Sequence, residues 1–131
     1  MISTDYILSL LDCQRTAEEQ NQGLRLANCI SNINVFIMPH CEEYGKNVWK
    51  NCALIICEKS DDNLFSYISD LMFWLQDMNW PGAVTVFERL KRFENKSFLN
   101  RCCNEVIKFS QALEHSQWER NLHFFTQTEE S

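Results

Sequence analysis

A chain of 131 residues is long enough to bury roughly two thirds of its unfolded surface in one domain, without help from metals or disulfides. With 45% hydrophobic and 23% charged residues but only three glycines and two prolines, it is neither disordered nor collagen-like, and scarce turn formers favour helices over hairpins. Eighteen acidic against twelve basic residues leave a formal charge of -6, which opposes a nucleic-acid or anionic-membrane surface and suits a basic protein partner.

The opening Met1-Ile2-Ser3-Thr4-Asp5 lacks the basic region of a secretion signal. A first apolar helical segment is expected from Thr4 to Leu11. Thr16-Ala17-Glu18-Glu19 reads as a capping box, in which hydroxyl and carboxylate satisfy orphaned amides reciprocally, opening a helix that carries Leu24, Ala27 and Ile30. A short piece, Ile33 to Met38, precedes Pro39. A further helix, about Lys46 to Glu58, carries Val48, Cys52, Ile55 and Ile56. The clearest periodicity follows Asp61-Asp62, where Leu64, Ile68, Leu71, Leu75 and Met78 recur at steps of four and three on one stripe, opposite Asp62, Ser66, Asp70 and Asp77.

Asn79-Trp80-Pro81 then breaks the pattern, since the residue before a proline avoids the α region while Pro81 suits the first turn of a new helix. That helix places Ala83, Val86, Phe87 and Leu90 on one side, with Glu88, Arg89, Lys91 and Arg92 largely on the other. Ser97 to Leu113 follows, with Leu99, Cys102, Cys103, Val106 and Ile107 inward. A second capping box, Ser116-Gln117-Trp118-Glu119, opens a helix with Trp118, Leu122 and Phe125.

Second helices starting near Thr16, Lys46, Pro81 and Ser116 recur at intervals of roughly 30 to 35 residues, the spacing of stacked helix pairs that cover each other's apolar faces. The expected fold is all-α, a short HEAT-like α-solenoid of antiparallel helix pairs forming a single domain over residues 1–131, with an irregular helical bundle as the alternative. The longest wholly apolar run, Cys52 to Cys57, is far shorter than the roughly 18 residues that cross a bilayer. Seven cysteines, without zinc or thioredoxin spacing, read as reduced core residues of a cytoplasmic protein.

Chemical motifs are sparse. His40-Cys41-Glu42-Glu43 groups a base, a thiol and two carboxylates, but no second ligand pair stands at zinc spacing and no thiol-hydrolase signature surrounds Cys41, so it reads as a solvated loop. His115, Glu119 and His123 lie at steps of four, yet His115 precedes the Ser116 cap and need not share the helical face. Cys102-Cys103 reads as packing. Glycine stands only at 23, 45 and 82, which leaves no phosphate-cradling loop, dinucleotide fingerprint or nucleophile elbow. No catalytic, cofactor-binding or metal residue is therefore expected. Arg89, Lys91, Arg92 and Lys96 form a local basic cluster that reads as a solvated helix end, short of the stripe that DNA binding requires.

Aromatic residues say more. Trp49 and Trp118 fall in the first turns of their helices and Trp80 at the corresponding corner, which suits packing between units; a tryptophan at a helix edge beside carboxylates also suits recognition of a basic partner. Tyr44, Trp80, Asp77, Glu42 and Glu43 are the candidates for such a surface.

The stretch Trp74-Leu75-Gln76-Asp77-Met78-Asn79-Trp80-Pro81-Gly82-Ala83, followed by Phe87-Glu88-Arg89-Leu90, resembles the signature of a small bacterial family of helical, HEAT-like proteins. Agreement extends to Glu18-Glu19-Gln20, Gly23-Leu24, Leu26-Ala27, to Asn47-Val48-Trp49-Lys50-Asn51-Cys52-Ala53 and to Lys59-Ser60-Asp61, so it spans residues 16–93. The resemblance implies an immunity protein of a contact-dependent growth inhibition or polymorphic-toxin system, without catalytic residues or cofactor. Its implied partner is a cognate toxin domain, a basic nuclease with ribonuclease favoured, bound by a monomer in a 1:1 complex that occludes the active site. A HEAT-like scaffold for an endogenous assembly is the alternative.

Overall fold

The computed structural model describes residues 3–126. The expectations placed on Met1 and Ile2, and the last five residues of the expected domain, lie outside them. Among the described residues every regular element is a helix and there is no strand, so the all-α expectation holds. Among these residues no helix is long and apolar enough to cross a membrane.

Helix α1 (Thr4–Leu10) starts where the Ser3 hydroxyl accepts the Tyr6 amide at 3.1 Å, and α2 (Ala17–Ala27) starts in the expected capping box between Thr16 and Glu19. The pair closes over Gly23, where an added Cβ would lie 2.9 Å from Leu10 Cβ and 2.9 Å from Leu11 Cδ2. Ile33–Phe36 is a single 3-10 turn. The expected Lys46 helix begins as a second 3-10 turn, Gly45–Val48, and becomes α-helical only in α3 (Trp49–Cys57).

The expected helix after Asp61 is broken into α4 (Asp61–Leu64), a 3-10 turn at Phe65–Tyr67, α5 (Ile68–Met72) and another 3-10 turn at Phe73–Gln76. Two polar side chains from the far end of the chain account for the last change. Trp118 Nε1 donates to the Met72 carbonyl at 3.1 Å and Asn121 Nδ2 to the Leu75 carbonyl at 2.9 Å, so these acceptors are satisfied across a helix interface. The apolar stripe survives, because a 3-10 turn keeps residues three apart on one side: Leu64, Ile68, Leu71 and Leu75 are fully buried, and Met78 is half-buried.

Helix α6 (Ala83–Lys91) starts two residues after Pro81, not on it as expected. Gly82 is its N-cap, in the left-handed region at φ 84, and the Pro81 carbonyl is held by Trp74 Nε1 at 2.9 Å. Arg89 does not join the polar side of α6; it is buried. After α7 (Lys96–Ala112) the chain closes a Schellman turn, with the Glu114 amide donating to Gln111 at 3.0 Å and the His115 amide to Ser110 at 2.8 Å. That turn makes His115 the cap of α8 (Ser116–Thr126): its Nδ1 accepts the Trp118 amide at 3.2 Å and its carbonyl the Glu119 amide at 3.1 Å. The expected Ser116–Glu119 box therefore does not form.

Packing joins chain neighbours at both ends and skips elements in the middle. Helix α1 lies on α2, α2 on α3, α3 on α6, α5 on α7, and α7 on α8, which returns to the Phe73–Gln76 turn. One apolar cluster runs from Ile7 of α1 to Phe125 of α8, with Trp74 and Trp118 entirely enclosed. All seven cysteines are free; Cys52 and Cys103 are core residues as expected, whereas Cys13 and Cys29 are exposed. Burial pushes the Cys52 and Cys103 thiols up to about 12, where they are protonated and inert.

Candidate functional site

The corner expected at Trp80 is real, and the tryptophans build it. Trp49 Nε1 donates to the Pro39 carbonyl at 2.9 Å, as Trp74 does to Pro81, so each proline of the chain is pinned by an indole. The Trp49 ring meets Trp74 edge to face at 5.7 Å and Trp80 edge to face at 5.5 Å, with the Trp80 plane tilted 83° from it. Trp80 is half-buried, whereas Trp49 is only 3% exposed. Its edge contact with a hydrogen-bonded, enclosed neighbour gives the half-open Trp80 ring a fixed seat.

Facing this corner is the loop that carries the acidic candidates. The Gly45 amide donates to the Cys41 carbonyl at 2.7 Å, closing a turn on Glu42, Glu43 and Tyr44, and Gly45 takes φ 49 in open space, where only its backbone freedom is used. Pro39, His40, Glu42, Lys46 and Trp49 enclose a concavity of about 370 Å3 beside the loop. Lys46 is the residue that joins the two halves, its ammonium standing 5.4 Å from the Trp49 ring centre and 5.7 Å from that of Trp80.

The five candidates are therefore used differently. Trp80 meets the Lys46 ammonium, Glu42 lines the concavity beside that lysine, and Glu43 is exposed on the same turn. Tyr44 packs against the core instead, where burial, aided by a hydrogen bond with Cys41 and the charge of Asp5, pushes its hydroxyl up to about 12. Asp77 shapes its own corner: its Oδ1 accepts the Asn79 amide at 2.8 Å and its carbonyl the Trp80 amide at 2.9 Å. Sequence reasoning missed Lys46. The available signal was its position three residues before Trp49, within reach of that ring on a helical turn.

A larger concavity, about 470 Å3, opens between Cys57, Ser60, Asp61, Arg89, Arg92 and Glu94, but its central ion pair, Arg89–Asp61, is spent on the fold. Arg89 Nη2 donates to Asp61 Oδ1 at 2.6 Å and to the Lys59 carbonyl at 2.9 Å, while the Glu94 amide donates to Asp61 Oδ2 at 2.9 Å. Burial alone would raise the Asp61 carboxyl; the Glu94 amide and the Arg89 guanidinium outweigh it and hold the group below its usual range. Of the basic cluster read as a solvated helix end, Arg89 thus belongs to the interior.

The histidine step on α8 is likewise structural. His115 caps the helix, and Glu119 accepts from Gln111 at 3.1 Å and contacts His123 at 3.3 Å, which together hold its carboxyl below the usual range. Among the described residues no group of histidine, cysteine and carboxylate side chains could hold a metal ion.

A family model described as a domain of unknown function, DUF5071, matches residues 50–128, more than half of the chain. The chain belongs to this family. No curated protein and no solved structure is significantly similar to it. The DUF5071 match spans the Trp74–Gly82 corner and everything to α8, and begins after the loop with Glu42, Glu43, Tyr44 and Lys46. Within this DUF5071 chain the candidate surface therefore joins a corner inside the matched segment to a loop outside it.

Proposed function

We propose that this chain is an immunity protein, which binds a cognate toxin domain and neutralises it by occluding the active site. The toxin is a basic nuclease, ribonuclease favoured, bound in the cytoplasm in a 1:1 complex, and the protein contributes neither catalysis nor a cofactor. The observation that carries this reading is the half-buried Trp80, seated rigidly on Trp49 beside an acidic turn: an aromatic anchor with a charged rim. A net charge of -6 supports it, since a nuclease groove built for phosphates is attracted to an acidic surface and captured quickly. The order in which α2, α3 and α6 lie against one another supports the HEAT-like reading, in which stacked second helices offer an extended face. A standard interface of about 1,200 to 2,000 Å2 would suffice.

Co-expression tests this. Cells making the cognate toxin domain proposed here should survive when this protein is present and die when it is absent. Continued killing at full expression of a soluble protein contradicts immunity and favours the scaffold, whose deletion would disturb cells that carry no toxin.

A further inference from the structure

Lys46 is held in an unusual way for a surface lysine. Among the described residues no carboxylate lies within ion-pair distance of its ammonium, which rests instead against two indoles at 5.4 and 5.7 Å. Those rings are 5.5 Å apart, so the ammonium and the two ring centres form a nearly equilateral triangle. Both distances fall within the range at which a ring quadrupole attracts a cation. Trp49 is locked by its hydrogen bond to Pro39 and its contact with Trp74, and Trp80 leans on it edge to face, so the right-angled corner that the two rings form, called the cleft below, is preorganised. The Lys46 side chain itself is exposed on a short 3-10 turn, a placement from which it can swing into solvent without disturbing the core.

We infer that the Trp49–Trp80 cleft is a receptor for one cationic side chain of a protein partner, arginine in preference to lysine, and that Lys46 is the internal occupant it displaces. This rests on the partner-binding reading above and supplies its recognition chemistry. Guanidinium suits the cleft better than ammonium, because it is planar, stacks on an indole and is more weakly hydrated, so less is lost when it leaves water. Glu42 in the adjoining concavity and Glu43 on the same turn draw a cation toward the cleft, and the released Lys46 ammonium regains its hydration. Occupation by Lys46 keeps Trp49 covered in the free protein and makes entry conditional on a cation that outcompetes it.

The test needs no toxin. The 15N-labelled full chain is titrated with N-acetyl-arginine methylamide at low salt, following the indole N–H resonances, with N-acetyl-glutamine methylamide as the neutral control and Trp80→Phe used to assign Trp80. The arginine amide should shift the Trp80 and Trp49 signals saturably and the glutamine amide should not. Lys46→Ala vacates the cleft and should tighten arginine binding by at least about two- to fivefold, the ratio corresponding to one exposed cation–ring contact, since Lys46 makes two. Lys50→Ala, which removes the same charge from an exposed position of α3, should leave affinity unchanged. Absence of a saturable shift in both the wild type and Lys46→Ala overturns the inference, as does equal behaviour of the two alanine variants. If arginine binds but the toxin is not neutralised, the receptor stands and immunity falls; if the toxin is neutralised while arginine does not bind, the converse holds.

Discussion

Gly82 sits so tightly beneath α3 that a Cβ built on it would lie 2.7 Å from the Cβ of Ala53 and 2.9 Å from the Trp49 carbonyl oxygen. Its φ of 84 is also one that an L side chain adopts only with strain. Two costs therefore add in Gly82→Ala, the left-handed backbone and the displaced helix, for a predicted loss of about 2 to 4 kcal/mol. Denaturant unfolding followed by circular dichroism measures it. A variant as stable as the wild type would mean that α3 and α6 do not approach as described.

The Arg89–Asp61 pair yields a pH dependence. The folded Asp61 carboxyl is held below its ordinary value of 3.8, so its contribution is complete above that value and fades as pH falls through the lower folded one. Asp61→Asn leaves the Arg89 side chain, only 8% exposed, without its counter-charge and should cost about 3 kcal/mol at neutral pH. The gap to the wild type should shrink below about pH 4. Equilibrium unfolding of both proteins between pH 3 and 7, on the order of five points, checks the sign; a constant gap would contradict it.

Glu114 occupies φ 54 at the Schellman position after α7, where glycine is the unstrained choice. Glu114→Gly should stabilise the fold by about 1 kcal/mol, a rise of about 4 °C in Tm for a domain of this size. A drop in Tm would show that the His115 cap depends on the Glu114 side chain.

How much of this was legible in the sequence depends on how far apart the interacting residues stand. Thr16 and Glu19 lie within one turn of each other, and their capping box reads directly from the chain; so does the Leu64-to-Leu75 stripe, whose spacing is local. The last break in that same helix, at Phe73–Gln76, was not legible, because its carbonyls are taken by Trp118 and Asn121, each 46 residues away from its acceptor. Ser116–Glu119 has the letters of a cap but loses to the preceding Schellman turn, which hands the role to His115. Arg89 falls on the expected helix, and only Asp61, 28 residues earlier, explains its burial. At the candidate site Trp80 and the acidic turn were visible one by one. Their meeting point at Lys46 was not, since it requires the loop after Pro39 to fold back on the corner before Pro81.

Glu42→Lys isolates the electrostatic part of the proposed binding, because Glu42 is exposed, whereas Asp77→Lys would also remove the acceptor of the Asn79 amide. Reversing the Glu42 charge should slow association with a basic partner by about two- to fivefold at low salt and flatten its salt dependence, with little change at high salt. Stopped-flow association measures both. Rates and salt dependence equal to those of the wild type would remove steering from the account.

The central claim is tested most directly by mixing the purified protein with the proposed partner, a candidate basic ribonuclease toxin domain, and reading native mass and cleavage of total RNA on the same samples, for the wild type and Trp80→Ala. The account predicts a 1:1 complex that abolishes cleavage, and a weakened complex with restored cleavage for Trp80→Ala. A mixture that stays dissociated while the toxin cleaves freely would contradict it.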